Sequence, residues 1–151
     1  MFDFVKSIID NNKKEKNSTS SNFDGHIALC VLLLEAAFVD GECSAEELSH
    51  LKNTLTTKYS IKALDIDELL ANSGDKRKES VDIFRFTRHI NNNFSKQEKI
   101  EIMESVWSIL LIDGQLETHE DHFAHKLANL LRLTHKELID AKLKVRKQMA
   151  V

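Results

Sequence analysis

Val39-Asp40-Gly41-Glu42-Cys43 and Ile112-Asp113-Gly114-Gln115-Leu116 superpose at a constant offset of 73 positions, and the same offset carries Glu47 onto Glu120. Asp-Gly is turn chemistry: the Asp side chain can bond its own backbone two residues on, and glycine takes a positive φ without steric cost. Apolar runs precede both turns. Ile27, Leu29, Val31, Leu32, Leu33 and Leu34 lead into the first, and Ile100, Met103, Val106, Trp107, Leu110 and Leu111 into the second. Such side chains point in every direction around a helix, so each run predicts a central helix buried on most sides. The segments after the turns are one-sided, with Leu48, Leu51 and Leu55 after the first and Phe123, Leu127, Leu130 and Leu131 after the second. The fold is thus expected to hold two copies of one module, helix, Asp-Gly turn, helix.

Beyond the two turns, the absence of proline and the presence of only four glycines leave apolar spacing as the main guide to the remaining elements. Asp24 is placed to cap the first central helix, which should run to about Val39. Ser44 with Glu47, Ser95 with Glu98 and Thr134 with Glu137 have capping-box spacing and mark three helix starts. A short helix from Ser60 through Leu70 is expected to stop at Gly74, and another should span Asp75 to Asn93. Within it Val81-Asp82-Ile83 alternates briefly like a strand, but Ile83, Phe86 and Ile90 keep helical spacing. The last helix carries Leu138, Ile139 and Leu143. Its basic end, Lys142, Lys144, Arg146 and Lys147, sits where cations favour the helix dipole.

Residues 1–22 read differently. Phe2, Val5 and Ile9 give Met1 to Asp10 one apolar face, and Asn11 to Asn22 has no apolar residue, the composition of a flexible linker. The domain organisation expected is this N-terminal amphipathic segment and linker over 1–22, then one helical domain over 23–151. A net charge of −3 gives no whole-chain attraction to nucleic acid. No secretory signal is legible, and the longest apolar run, Ile27 to Val39, contains Glu35 and is shorter than a membrane span. A cytoplasmic location is expected. Cys30 and Cys43 lack the close pairing of metal or redox motifs and should be free thiols.

Asp-Gly, an apolar residue two positions after the glycine, then Glu is the second half of an EF-hand calcium loop. The first half is missing: Ala36 and Phe38, and Ile109 and Leu111, stand where oxygen ligands belong. Facing each other, the half-loops would offer Asp40, Glu47, Asp113 and Glu120 to one ion or two neighbouring ones. An Asp at the negative end of a helix dipole also calls for a compensating cation or donor. Ordinary turn chemistry and the capping of Ser44 by Glu47 account for the same residues without metal. His119, His122 and His125 recur every three residues, of which only His119 and His122 would share an ion, and an exposed polar face explains them more simply. His26, His50, His89 and His135 are scattered. Arg85 and Arg88, with Glu79 and Asp82, read as solvated helix decoration. No nucleophile elbow, catalytic cysteine signature or phosphate-binding loop is present, so no enzymatic activity is expected.

At these residues the chain resembles the TerB family, named for bacterial tellurite-resistance proteins, and especially a branch of small stand-alone members. The resemblance runs from Ile27 to Arg146. It is carried by Leu34 to Leu48, by Glu79-Ser80-Val81-Asp82-Ile83-Phe84-Arg85-Phe86-Thr87, which points to the branch, and by Trp107 to Leu131 with Leu133-Thr134-His135-Lys136-Glu137. It implies an all-α fold of about seven helices with pseudo-twofold halves, and a metal site at Asp40, Glu47, Asp113 and Glu120. Val39 and Ile112 depart from a common alanine, and Gln115 and His119 stand where an acidic and an aromatic residue are usual. Loss of a carboxylate at Gln115 would weaken cation binding. The resemblance assigns no tellurite chemistry to this chain.

The leading expectation is a stress-associated binding module with a divalent metal ion, calcium or magnesium rather than zinc, between the turns, no organic cofactor, and an unidentified protein partner. The alternative is a metal-free interaction module, tethered by Met1 to Asp10 to a partner or, weakly, to a membrane surface. Neither involves nucleic acid, and either is compatible with a homodimer. An enzyme would require a bound metal acting as a Lewis acid.

Overall fold

A computed structural model describes residues 17–79 and 83–150, with side chains from 25–75 and 83–150. Among the described residues there are seven helices and no strand: α1 (Asn17–Ala37), α2 (Ala45–Thr57), α3 (Ala63–Glu79), α4 (Phe84–Asn93), α5 (Lys96–Leu110), α6 (Thr118–Leu130) and α7 (His135–Met149). Met1 to Asp10 and residues 11–16 lie outside the described residues.

The two central helices are α1 and α5. Leu29, Cys30, Val31, Leu32 and Leu33 of α1, and Ile102, Met103, Val106, Trp107 and Ile109 of α5, are all buried from solvent. Helix α1 packs against α3, α4 and α5, while α5 packs against α7, α1, α6 and α2. A helix apolar on all sides needs neighbours on all sides, and the one-sided helices supply them. Trp107 pins α7 onto α5: its indole Nε1–H donates to the Leu138 carbonyl at 3.1 Å, and the Lys142 ammonium lies 5.2 Å from its ring centroid.

Three capping boxes form as the sequence predicts. Ser44, Ser95 and Thr134 have extended backbone, and each accepts from the N–H of Glu47, Glu98 or Glu137 while that glutamate accepts from the cap's own N–H. Of the basic run on α7, Arg146 and Lys147 occupy the last turn, whereas Lys144 pairs with Glu104 at 3.2 Å.

Three boundaries differ from the expectation. Helix α1 begins at Asn17, so Asp24 is interior rather than a cap, and residues 17–22 of the expected linker are helical. Once the buried segment has overcome nucleation, each added residue gains one backbone bond, and Ser, Thr and Asn oppose this only weakly. Gly74 lies inside α3 instead of stopping it, and has no positive φ. Neighbouring Asn72 and Ser73 are buried, so packing outweighs the roughly 1 kcal/mol a helical glycine costs. The single helix expected over 75–93 is two, α3 ending at Glu79 and α4 starting at Phe84. Val81 and Asp82 lie outside the described residues. No described helix is long and apolar enough to cross a membrane.

Candidate functional site at the twin Asp-Gly turns

The two turns repeat the same glycine and carboxylate bonds at the offset of 73, although Ser44 Oγ accepts from Glu47 N–H only in the first copy. Helices α1 and α5 end at Ala37 and Leu110, and α2 and α6 begin at Ala45 and Thr118. Gly41 N–H donates to the Phe38 carbonyl and Gly114 N–H to the Leu111 carbonyl, both at 2.9 Å. The glycines have φ of +92° and +82°, the left-handed region that reverses the chain after a helix. Asp40 Oδ1 accepts from Glu42 N–H at 3.3 Å, and Asp113 Oδ1 from Gln115 N–H at 3.0 Å. Glu47 Oε1 accepts from Ser44 N–H at 3.1 Å, and Glu120 Oε1 from Glu117 N–H at 3.0 Å. All four predicted site residues therefore play a local role first: each carboxylate holds a backbone amide at a helix junction.

The copies differ in burial. Glu47 is half-buried, whereas Glu120 is only 8% exposed. Burial pushes the Glu120 carboxyl above the ordinary carboxylate range, with Asp113, Glu117 and Asp40 adding to the rise and the Glu117 amide opposing it. Asp40 belongs to the other turn, so carboxylates from both halves of the repeat act on one another. Cys43 feels the same field, its thiol pushed up by burial and then by Glu47 and Asp40. Cys30 is buried in the core and pushed up to about 12 by desolvation, as an inert free thiol should be.

Among the described residues no three His, Cys, Asp or Glu side chains are gathered closely enough to hold a metal ion between them. The acids fit a cation in charge and in oxygen chemistry, but they do not form a closed ligand cage. The helix-borne histidines are also sorted differently from their spacing. His119 Nε2 lies 3.3 Å from Glu117 and His125 Nε2 3.6 Å from Asp121. His125 meets His135, not His122, with ring centroids 5.6 Å apart, a pairing across the α6–α7 junction that a three-residue period cannot reveal. Arg88 lies over the Phe84 ring at 5.0 Å, as surface decoration.

In comparisons with known proteins, the family described as Tellurite resistance protein TerB matches residues 26–143. No curated protein and no solved structure gives a match.

Proposed function

Because the chain belongs to the TerB family over residues 26–143, we propose that it is a binding module in which a divalent cation braces the two Asp-Gly turns and so tunes a surface for a partner protein. One observation carries this: the twin turns repeat one geometry that sets Asp40, Glu47, Asp113 and Glu120 at the helix junctions, with Glu120 only 8% exposed and its carboxyl raised first by burial and further by Asp113, Glu117 and Asp40. That is unbalanced negative charge contributed by both halves, and a cation between them would reverse its cost.

Because no three of the described acids are gathered into a ligand set, Asp40, Asp113 and Glu120 would meet the ion largely through its water shell, by the oxygens not engaged by backbone amides, with Glu47 at the margin. An all-oxygen set suits calcium or magnesium rather than zinc. Since the carboxylates form no closed cage, the ion keeps part of its water shell, and its dissociation constant falls on the order of 0.1–1 mM, the weak end for calcium sites. At ten times that concentration it adds about 1.4 kcal/mol to stability. The module is a binder and not an enzyme, its turn carboxylates being engaged in holding helix junctions.

Thermal unfolding in calcium, magnesium, manganese and zinc chlorides, against sodium chloride of equal ionic strength, tests this. A rise of several degrees with calcium or magnesium, absent in Asp40→Asn with Asp113→Asn, is the expected result; no rise with any of them refutes the cation's part. A second reading also has an observation behind it. The missing ligand cage and the four backbone-bonded carboxylates equally suit a metal-free module whose turns only set helix angles. Partner capture unchanged by chelator would favour that reading.

A further inference from the structure

Helix α3 packs on α1 and, more lightly, on α2. Its inner stripe runs Ile66, Leu69 and Ser73, so the third step of an apolar ridge is a hydroxyl. Asn72 and Ser73 are as thoroughly buried as the two apolar residues. Glu68 Oε2, Asn72 Nδ2 and Ser73 Oγ are shut off from solvent and find no hydrogen-bond partner among the described residues. Each gives up its bond to water when α3 packs and regains it when α3 lifts. Ser73 lies beside the Cys30 thiol of α1, a weak partner; burial pushes that thiol up to about 12, and Ser73 opposes the rise.

Two backbone features weaken the same element. Gly74 stands inside the helix without a positive φ, and a Cβ built there meets no atom within 4 Å. Neither a turn nor a close approach requires this glycine, so it only loosens α3. At the entry to α3, Ser60 holds φ +57°, a left-handed position that glycine would take without strain. Helix α5 is built the opposite way. It buries Ile102, Met103, Val106, Trp107 and Ile109, and its buried Ser105 hydroxyl donates to the Glu101 carbonyl at 3.1 Å. Elements held so unequally open at unequal free energies.

We propose that α3 is a flap over α1: it opens as a unit while α5, α6 and α7 stay folded, and the opening uncovers the Cys30 thiol and the apolar α1 face around it. The three unbonded polar atoms set the latch, because they oppose closure and become wetted on release.

Cys43→Ser leaves Cys30 as the one thiol of a chain that has two cysteines. In that background the full-length folded protein is exposed to dithiobis(nitrobenzoate), and labelling is followed at rising urea below the unfolding transition. The rate should be nearly insensitive to urea, because lifting one helix exposes little surface. Ser73→Ala, which removes an unbonded buried hydroxyl, and Gly74→Ala, which firms the helix, should each slow labelling about fivefold. Thr134→Ala removes the α7 cap hydroxyl that accepts from Glu137 N–H at 3.1 Å; it should lower Tm and leave Cys30 labelling unchanged. Amide hydrogen exchange should follow the same order, with residues 66–74 exchanging well before 102–109. Labelling that climbs with urea along the global unfolding curve, that Thr134→Ala accelerates, or that neither α3 substitution slows overturns the flap. So does a Cys30 that reacts no faster than the whole chain unfolds.

Discussion

Replacing Gly41 by alanine, Gly114 by alanine, and both together measures how far the two turns are the same object. The glycines have φ of +92° and +82°, and a Cβ built at either meets no atom within 4 Å. Crowding therefore contributes nothing, and the cost is the backbone's alone. A left-handed alanine costs about 1–2 kcal/mol, from which the stiffer unfolded chain returns about 0.4–1 kcal/mol. Each substitution should destabilise by about 1 kcal/mol and the pair by about 2 kcal/mol. For a chain of 151 residues each kcal/mol lowers Tm by roughly 2–4 °C, so the double variant should melt roughly 4–8 °C below the parent. Asparagine at either place should cost less than alanine, because it enters the left-handed region more readily. Thermal and urea unfolding followed by helical circular dichroism reads all of these. An alanine variant that melts at or above the parent would refute the turn geometry, and unequal costs in the two copies would refute their equivalence.

Ser44→Ala removes the hydroxyl that accepts from Glu47 N–H at 3.0 Å and should cost about 1 kcal/mol, read by urea denaturation. Trp107→Phe removes the indole bond to the Leu138 carbonyl, which keeps its helical partner, and puts a smaller ring near Lys142; a loss of about 1 kcal/mol or more is expected, and a change below about 0.5 kcal/mol would contradict the pinning of α7, on the scale of a lost hydrogen bond. Glu120 titrates above its ordinary 4.5 in the folded state, so folding binds its proton more tightly. Its ionisation therefore costs stability, nothing below pH 4.5, increasingly as pH rises towards the folded value, and fully above it. Glu120→Gln keeps the acceptor for Glu117 and removes that cost. Melts from pH 4 to pH 7.5 should show the variant gaining on the parent as pH rises, and a parallel pair of curves would speak against the crowding of acids.

Much of the architecture was legible because it rests on local chemistry. Ser44, Ser95 and Thr134 announce helix starts that form with both reciprocal bonds, and the apolar runs before Asp40 and Asp113 mark the two central helices. Where local chemistry was ambiguous, tertiary context decided. Gly74 has the look of a helix stop but sits in a helix whose neighbouring turn is buried, and the polar stretch ahead of Asp24 extends α1. The candidate site was legible as four acids at a fixed offset, but their unequal burial was not, because it depends on how the halves close over Glu120 and not on the turn itself.

If acids from both copies of the repeat act on one another and attract a shared cation, the acids themselves should report it. Their side-chain carboxyl ¹³C resonances, at Asp40, Asp113 and Glu120, can be followed by NMR while calcium or magnesium is added, with a pH titration at each end point. All three should move together along one saturation curve, and the Glu120 carboxyl should become more acidic once the ion is bound. Two aspartates that respond independently, or a Glu120 that keeps its elevated pKa at saturating cation, would mean that no ion is shared.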